Sequence, residues 1–163
     1  MIHLDDDRLL AGLRELEANA LEPGELHVLR ALFRACGPLP EGRSQLVARL
    51  LRTVPLRPVA VRGQALPTMA ELEAGPYHLT VEVSGGAAGA HSMYGQLLRD
   101  GEPAGPGEIV LPDLDGRTSC AVLDDLGEFE LARLAPGSYR AVLDLARERI
   151  VVEPLAVGVA DDA

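Results

Sequence analysis

Few side chains in this 163-residue sequence could break a bond or hold a metal. They are two cysteines (Cys36, Cys120), four histidines (His3, His27, His78, His91) and Ser92, which lies beside His91. Nucleophilic catalysis needs a nucleophile, a base and a group that orients the base. Ser92 and His91 are neighbours in an alternating, strand-like stretch, so their side chains point to opposite faces. Cys36 and His27 are nine residues apart, on different faces of a predicted helix, and Cys120 has no histidine near it in sequence. There is no G-x-S-x-G, no H-E-x-x-H and no glycine-rich loop opening a helix; the glycine-rich run Ser84–Ala90 leads into a strand. The two thiols could pair, but they do not make a disulfide framework. The residue types and spacings therefore predict no catalytic residues, no metal, no cofactor and a non-enzymatic protein.

The elements that would carry these residues fall into two styles. Asp5, Asp6 and Asp7 precede Leu9, Leu10, Leu13 and Leu16, a helical spacing with acids at the positive end of the dipole. A second helix is predicted from Glu25, with Leu26, Leu29, Leu32, Phe33 and Cys36 inward, ending at Gly37-Pro38. A third is predicted from Glu41 or Ser44, carrying Leu46, Val47, Leu50 and Leu51. Pro55, Pro58, Gly63 and Pro67 then suggest an extended connection, in which Val59 and Val61 could start an edge strand.

From Gly75 the period becomes two. Tyr77, Leu79, Val81 and Val83 alternate with His78, Thr80, Glu82 and Ser84. Further strands are predicted at 91–98, 108–111, 118–123, 128–132, 138–145 and 148–159, with Asp115-Gly116 as a hairpin signal. Residues 124–145 read as an antiparallel pair joined by the Ala135-Pro136-Gly137 loop. The expected fold class is α+β: an N-terminal three-helix unit over residues 1–54, a linker over 55–74 and an all-β antiparallel sandwich over 75–163.

Charge narrows the partners. The net charge is −10, and every basic residue is Arg. Residues 1–62 hold nine Arg against eight acids, and residues 63–163 hold six against seventeen. An acidic β half does not suit phosphate backbones, which need clustered cations. Arg30, Arg34, Arg43, Arg49, Arg52, Arg57 and Arg62 are concentrated earlier, but Phe33 is the one aromatic among them, so the stripe reads as solvated or protein-facing. The start MIHLDDDRLL is not a signal peptide, and no run approaches the roughly 18 apolar residues of a membrane helix. The expected compartment is the cytoplasm, with no nucleic acid and no membrane as partner.

The segment Gly95–Leu145 resembles the carboxypeptidase regulatory-like domain. The resemblance rests on Gly95, Asp100-Gly101, Asp124 with Gly127 and Phe129, and Leu134 with Gly137 and Tyr139. It implies a transthyretin-like β-sandwich that is not itself a peptidase. Phe129 then reads as core, Tyr139 as a corner residue bonding backbone, and Gly127 and Gly137 as positions of positive φ. The stretch His3–Leu13 is similar to the opening of bacterial zinc-finger anti-sigma domains. Their H-x-x-x-C-x-x-C motif would fall on Leu32, Cys36 and Leu39, so one of three ligands is present and no zinc is expected. Together the two resemblances imply a non-enzymatic regulator binding an extracytoplasmic-function-type sigma factor. A substrate or adaptor of a caspase-like protease, or a module pairing two copies by a sheet edge, are the alternatives. The expected contact residues are Leu9, Leu13, Leu16, Leu29, Leu32, Phe33, Arg49 and Arg52.

Overall fold

A computed structural model describes residues 23–56, 67–85, 89–112 and 118–158. Among them lie one helix and ten strands. The helix is α1 (Pro23–Cys36). The strands are β1 (Ser44–Pro55), β2 (Thr68–Ala74), β3 (Tyr77–Gly85), β4 (His91–Arg99), β5 (Glu102–Pro103), β6 (Gly107–Leu111), β7 (Ser119–Leu123), β8 (Glu128–Leu134), β9 (Gly137–Leu145) and β10 (Glu148–Val157). This overturns the expected α+β class. The first predicted helix, with Leu9, Leu13 and Leu16, lies outside the described residues, as do Val59, Val61 and Asp115-Gly116.

The decisive correction is at Ser44–Pro55, expected as a third helix and found as β1. Its apolar spacing suits a helix, but only Ala48 is buried along it, with Leu46 packed on the core. The strand is held by backbone ladders to two neighbours. Residues 44–48 pair in parallel with β10, and residues 49–55 pair antiparallel with β2. Each half of the strand bonds one neighbouring strand, a ladder that needs no apolar face, and short periodic runs do not separate helix from strand. The β1–β10 pair also means that the strands are not all antiparallel. Thr68–Ala74, placed in the connection by its sequence, is β2.

β1 is thus shared by two sheets. One runs β1-β10-β9-β6-β7; the other runs β1-β2-β3-β4, with β4 joined by β5 and β8. A single core fills the space between them, including Leu79, Val81, Met93, Leu97, Ile109, Leu143, Ile150 and Val152. Lacking Trp, it is built mainly from aliphatic side chains plus Tyr77 and Phe129, the latter lying over Gly95 on the neighbouring strand.

β8 and β9 are not a hairpin. β8 pairs with β4 in one sheet and β9 with β10 and β6 in the other, so the short Ala135-Pro136 link crosses between sheets. The motif residues brace this region. Asp124 Oδ1 accepts from Leu126 N and Glu128 N, both at 2.9 Å, and Gly127 turns the chain at φ +71°. Tyr139 donates its hydroxyl to Ala135 O at 2.7 Å. Gly137 does not adopt the positive φ expected of it.

α1 lies on the outer face of the first sheet. Its buried residues are Ala31 and Ala35, over Val110 of β6 and Val142 of β9. Small side chains let the helix sit close to the sheet. Leu29, Leu32 and Phe33 are only half-buried, and Cys36, predicted inward, is exposed. At the helix end, Arg149 of β10 donates to Gly37 O at 2.9 Å and to Arg34 O, placing a cation on carbonyls that lack helical partners. No described helix is long and apolar enough to cross a membrane.

Candidate functional site

The packing of α1 brings together side chains that are far apart in sequence. His27 precedes Ala31 by four residues, so it shares the sheet-facing stripe of Ala31 and Ala35. On β6, Ile109 and Leu111 enter the central core, while Glu108 and Val110 face outward towards the helix. In the β6–β7 register Val110 faces Cys120 and Glu108 faces Val122. Cys120 is therefore diagonal to Glu108 on the same face, within reach of its long side chain. The result is a cluster of His27, Glu108 and Cys120 whose donor atoms all lie within 4.8 Å of one another.

His27 and Glu108 of the cluster line a cleft of about 440 Å³, together with Arg34, Arg43 and Asp144. Asp144 sits directly across the ladder from Glu108. Its charge is met by Arg43, which donates to Asp144 Oδ1, to Leu145 O and, at 3.2 Å, to Glu148 O. Glu108 is different. It is 8% exposed, and its Oε1 is buried without a hydrogen bond, although His27 Nε2 stands 3.0 Å away. The distance suits an ion pair, but the geometry of a hydrogen bond is missing. The other buried side-chain atoms without partners among the described residues, Arg43 Nε and Arg149 Nε, are donors. Burial, and then the nearby Glu108 carboxylate, push the Cys120 thiol above its usual range. That disfavours a free thiolate, so the group is poorly prepared as a nucleophile.

Sequence reasoning paired His27 with Cys36 and found Cys120 isolated. The structure gives His27 a different thiol, because α1 packs across β6 and β7. Glu108 was missed altogether. The one signal for it is an acid opening the apolar run Glu108-Ile109-Val110-Leu111, where burial on both sheet faces is expected. His91 is buried and Ser92 half-buried at adjacent strand positions, so they do not converge.

The expected contact residues are scattered. Leu29, Leu32 and Phe33 flank the buried stripe of α1. Arg49 and Arg52 stand on β1, with side chains 78% and 62% exposed. Arg52 makes a two-pronged bond to Glu71, at 2.8 and 2.6 Å, and Arg49 lies 3.5 Å from Glu73. Between and beside them Val47, Leu50 and Leu51 are exposed by 69%, 55% and 45%. Comparison with protein-family models, curated proteins and solved structures finds no match.

Proposed function

We propose that the chain is a non-catalytic protein-binding regulator that contacts its partner through β1. The observation that carries this reading is the exposure of Val47, Leu50 and Leu51 on one strand, framed by Arg49 and Arg52. Exposed apolar side chains along one strand, with guanidinium groups among them, suit a contact surface. The raised Cys120 thiol and the separation of His91 from Ser92 favour a binding role over a nucleophilic one. The partner class is the one that the His3–Leu13 resemblance implies, a sigma-factor-like transcription regulator. The strand replaces the helical face as the gripping surface.

The test is co-purification with the sigma factors of the same genome, using the wild-type chain and Val47→Asp/Leu51→Asp. Capture by the wild type and loss in the variant, with unchanged circular dichroism, is the expected result. Capture that survives both substitutions removes β1 as the surface. No capture by folded wild-type protein removes the partner class. Light scattering on the same samples reads whether two copies pair instead.

A further inference from the structure

We propose that His27, Glu108 and Cys120 form a binding site for a divalent cation of the zinc class, which staples α1 to β6 and β7. The proposal is independent of the β1 surface. Three observations carry it.

The first is the donor set. Calcium and magnesium take oxygen ligands, whereas an imidazole, a thiolate and one carboxylate suit zinc and its neighbours. The second is distance. At ordinary zinc bond lengths, tetrahedral ligands stand roughly 3.3–3.8 Å apart. Here Nε2 and Oε1 are already 3.0 Å apart and all donors lie within 4.8 Å, so side-chain adjustments of about 1 Å complete the site. The third is Glu108 Oε1, a buried acceptor with no hydrogen-bond donor among the described residues. Such an atom costs free energy unless something positive meets it. His27 Nε2 stands 3.0 Å from this oxygen, a spacing that two ligands of one ion also show.

Charge also balances. A divalent cation held by the Glu108 carboxylate and the Cys120 thiolate is neutral overall, and the displaced thiol proton leaves to solvent. Of the two arginines lining the cleft, Arg43 is already paired with Asp144. The fourth position faces the cleft, where a water completes the tetrahedron. Sequence spacing alone gave no sign of this, because each ligand comes from a different element.

The experiment is titration of the full, metal-free chain with Co²⁺, followed by competition with Zn²⁺. One equivalent should produce a thiolate-to-cobalt charge-transfer band that zinc abolishes. The band should vanish in Cys120→Ser and persist in Cys36→Ser. Losing an outer-shell partner of a metal site costs about 10–100-fold in affinity, so His27→Gln and Glu108→Gln should each weaken binding by at least about a hundredfold. A second readout needs no variant: zinc should protect Cys120 from alkylation while Cys36 stays reactive, read by peptide mass spectrometry. No band in the folded wild type, a band retained in Cys120→Ser, or equal alkylation of Cys120 with and without zinc overturns the site.

Discussion

Replacing Gly95 by alanine tests how an aromatic-poor core is closed. Gly95 pairs with Phe129 across β4 and β8, and the Phe129 ring, 3% exposed, lies over the glycine. A Cβ at residue 95 would stand 2.6 and 2.9 Å from Phe129 Cε1 and Cε2, and its three nearest neighbours are all atoms of that ring. Ordinary carbon contacts begin near about 3.5 Å, so the ring must move by about 1 Å into packed neighbours. Overpacking of this kind costs about 1–3 kcal/mol. Alanine otherwise gains roughly 0.5–1 kcal/mol over glycine inside a strand. The net expectation is a loss of about 1–2 kcal/mol, or roughly 2–8 °C in Tm for a chain of this size. Phe129→Ala alone should cost about 3–5 kcal/mol. In that background the obstruction is gone, so Gly95→Ala should become neutral or stabilising. The double-mutant cycle, read by urea denaturation with an unchanged m-value, should give a coupling of about 1.5–3 kcal/mol. If the alanine costs as much without the ring as with it, the ring is not the reason for glycine and the reasoning fails. Phe129→Leu serves as the partner variant if the alanine variant is unfolded.

Arg149→Met should destabilise the fold by about 2 kcal/mol, because Arg34 O and Gly37 O at the end of α1 lose their charged donor. Hydrogen exchange should quicken in α1 more than in β9 and β10; uniform quickening would contradict the capping role. Asp124→Ala should cost about 1 kcal/mol by removing the acceptor of Leu126 N and Glu128 N, and Asp124→Asn should recover most of it, as thermal denaturation would show. The Tyr77 hydroxyl, which donates to Glu148 Oε2, is pushed up to about 12, first by burial and then by that hydrogen bond. The folded state therefore holds this proton more tightly than the unfolded chain, where tyrosine titrates near about 10. The stability it contributes is intact below about pH 10 and is lost as pH rises towards about 12. Tyr94, bonded to Glu128 at the surface, is also pushed up to about 12. The readout is therefore the stability difference between wild type and Tyr77→Phe, which should shrink across that window; a flat difference refutes the Tyr77–Glu148 contact.

Most strands from Tyr77 onward were legible from alternating or apolar runs between glycine and proline corners, whereas Glu102–Pro103, read as part of a turn, forms the short β5. Tyr77–Gly85 and His91–Arg99 match the alternating pattern almost residue for residue. The Asp124–Phe129 turn was legible for the same reason, since its hydrogen bonds are local. The second predicted helix also forms, as Pro23–Cys36, although its most buried residues are alanines rather than leucines.

What the chain's own pattern determined was therefore local: where strands run, where they turn, and that thiols and histidines are sparse. Three matters were decided only by the tertiary structure. Ser44–Pro55 became a strand because β10 offered a ladder to its first half and β2 to its second, a non-local gain that outweighs helical spacing. β8 and β9 parted into different sheets because pairing partners, not the link between them, set their places. The meeting of His27, Glu108 and Cys120 arose because a helix packed across two strands, and no spacing along one chain encodes a contact made between separate elements.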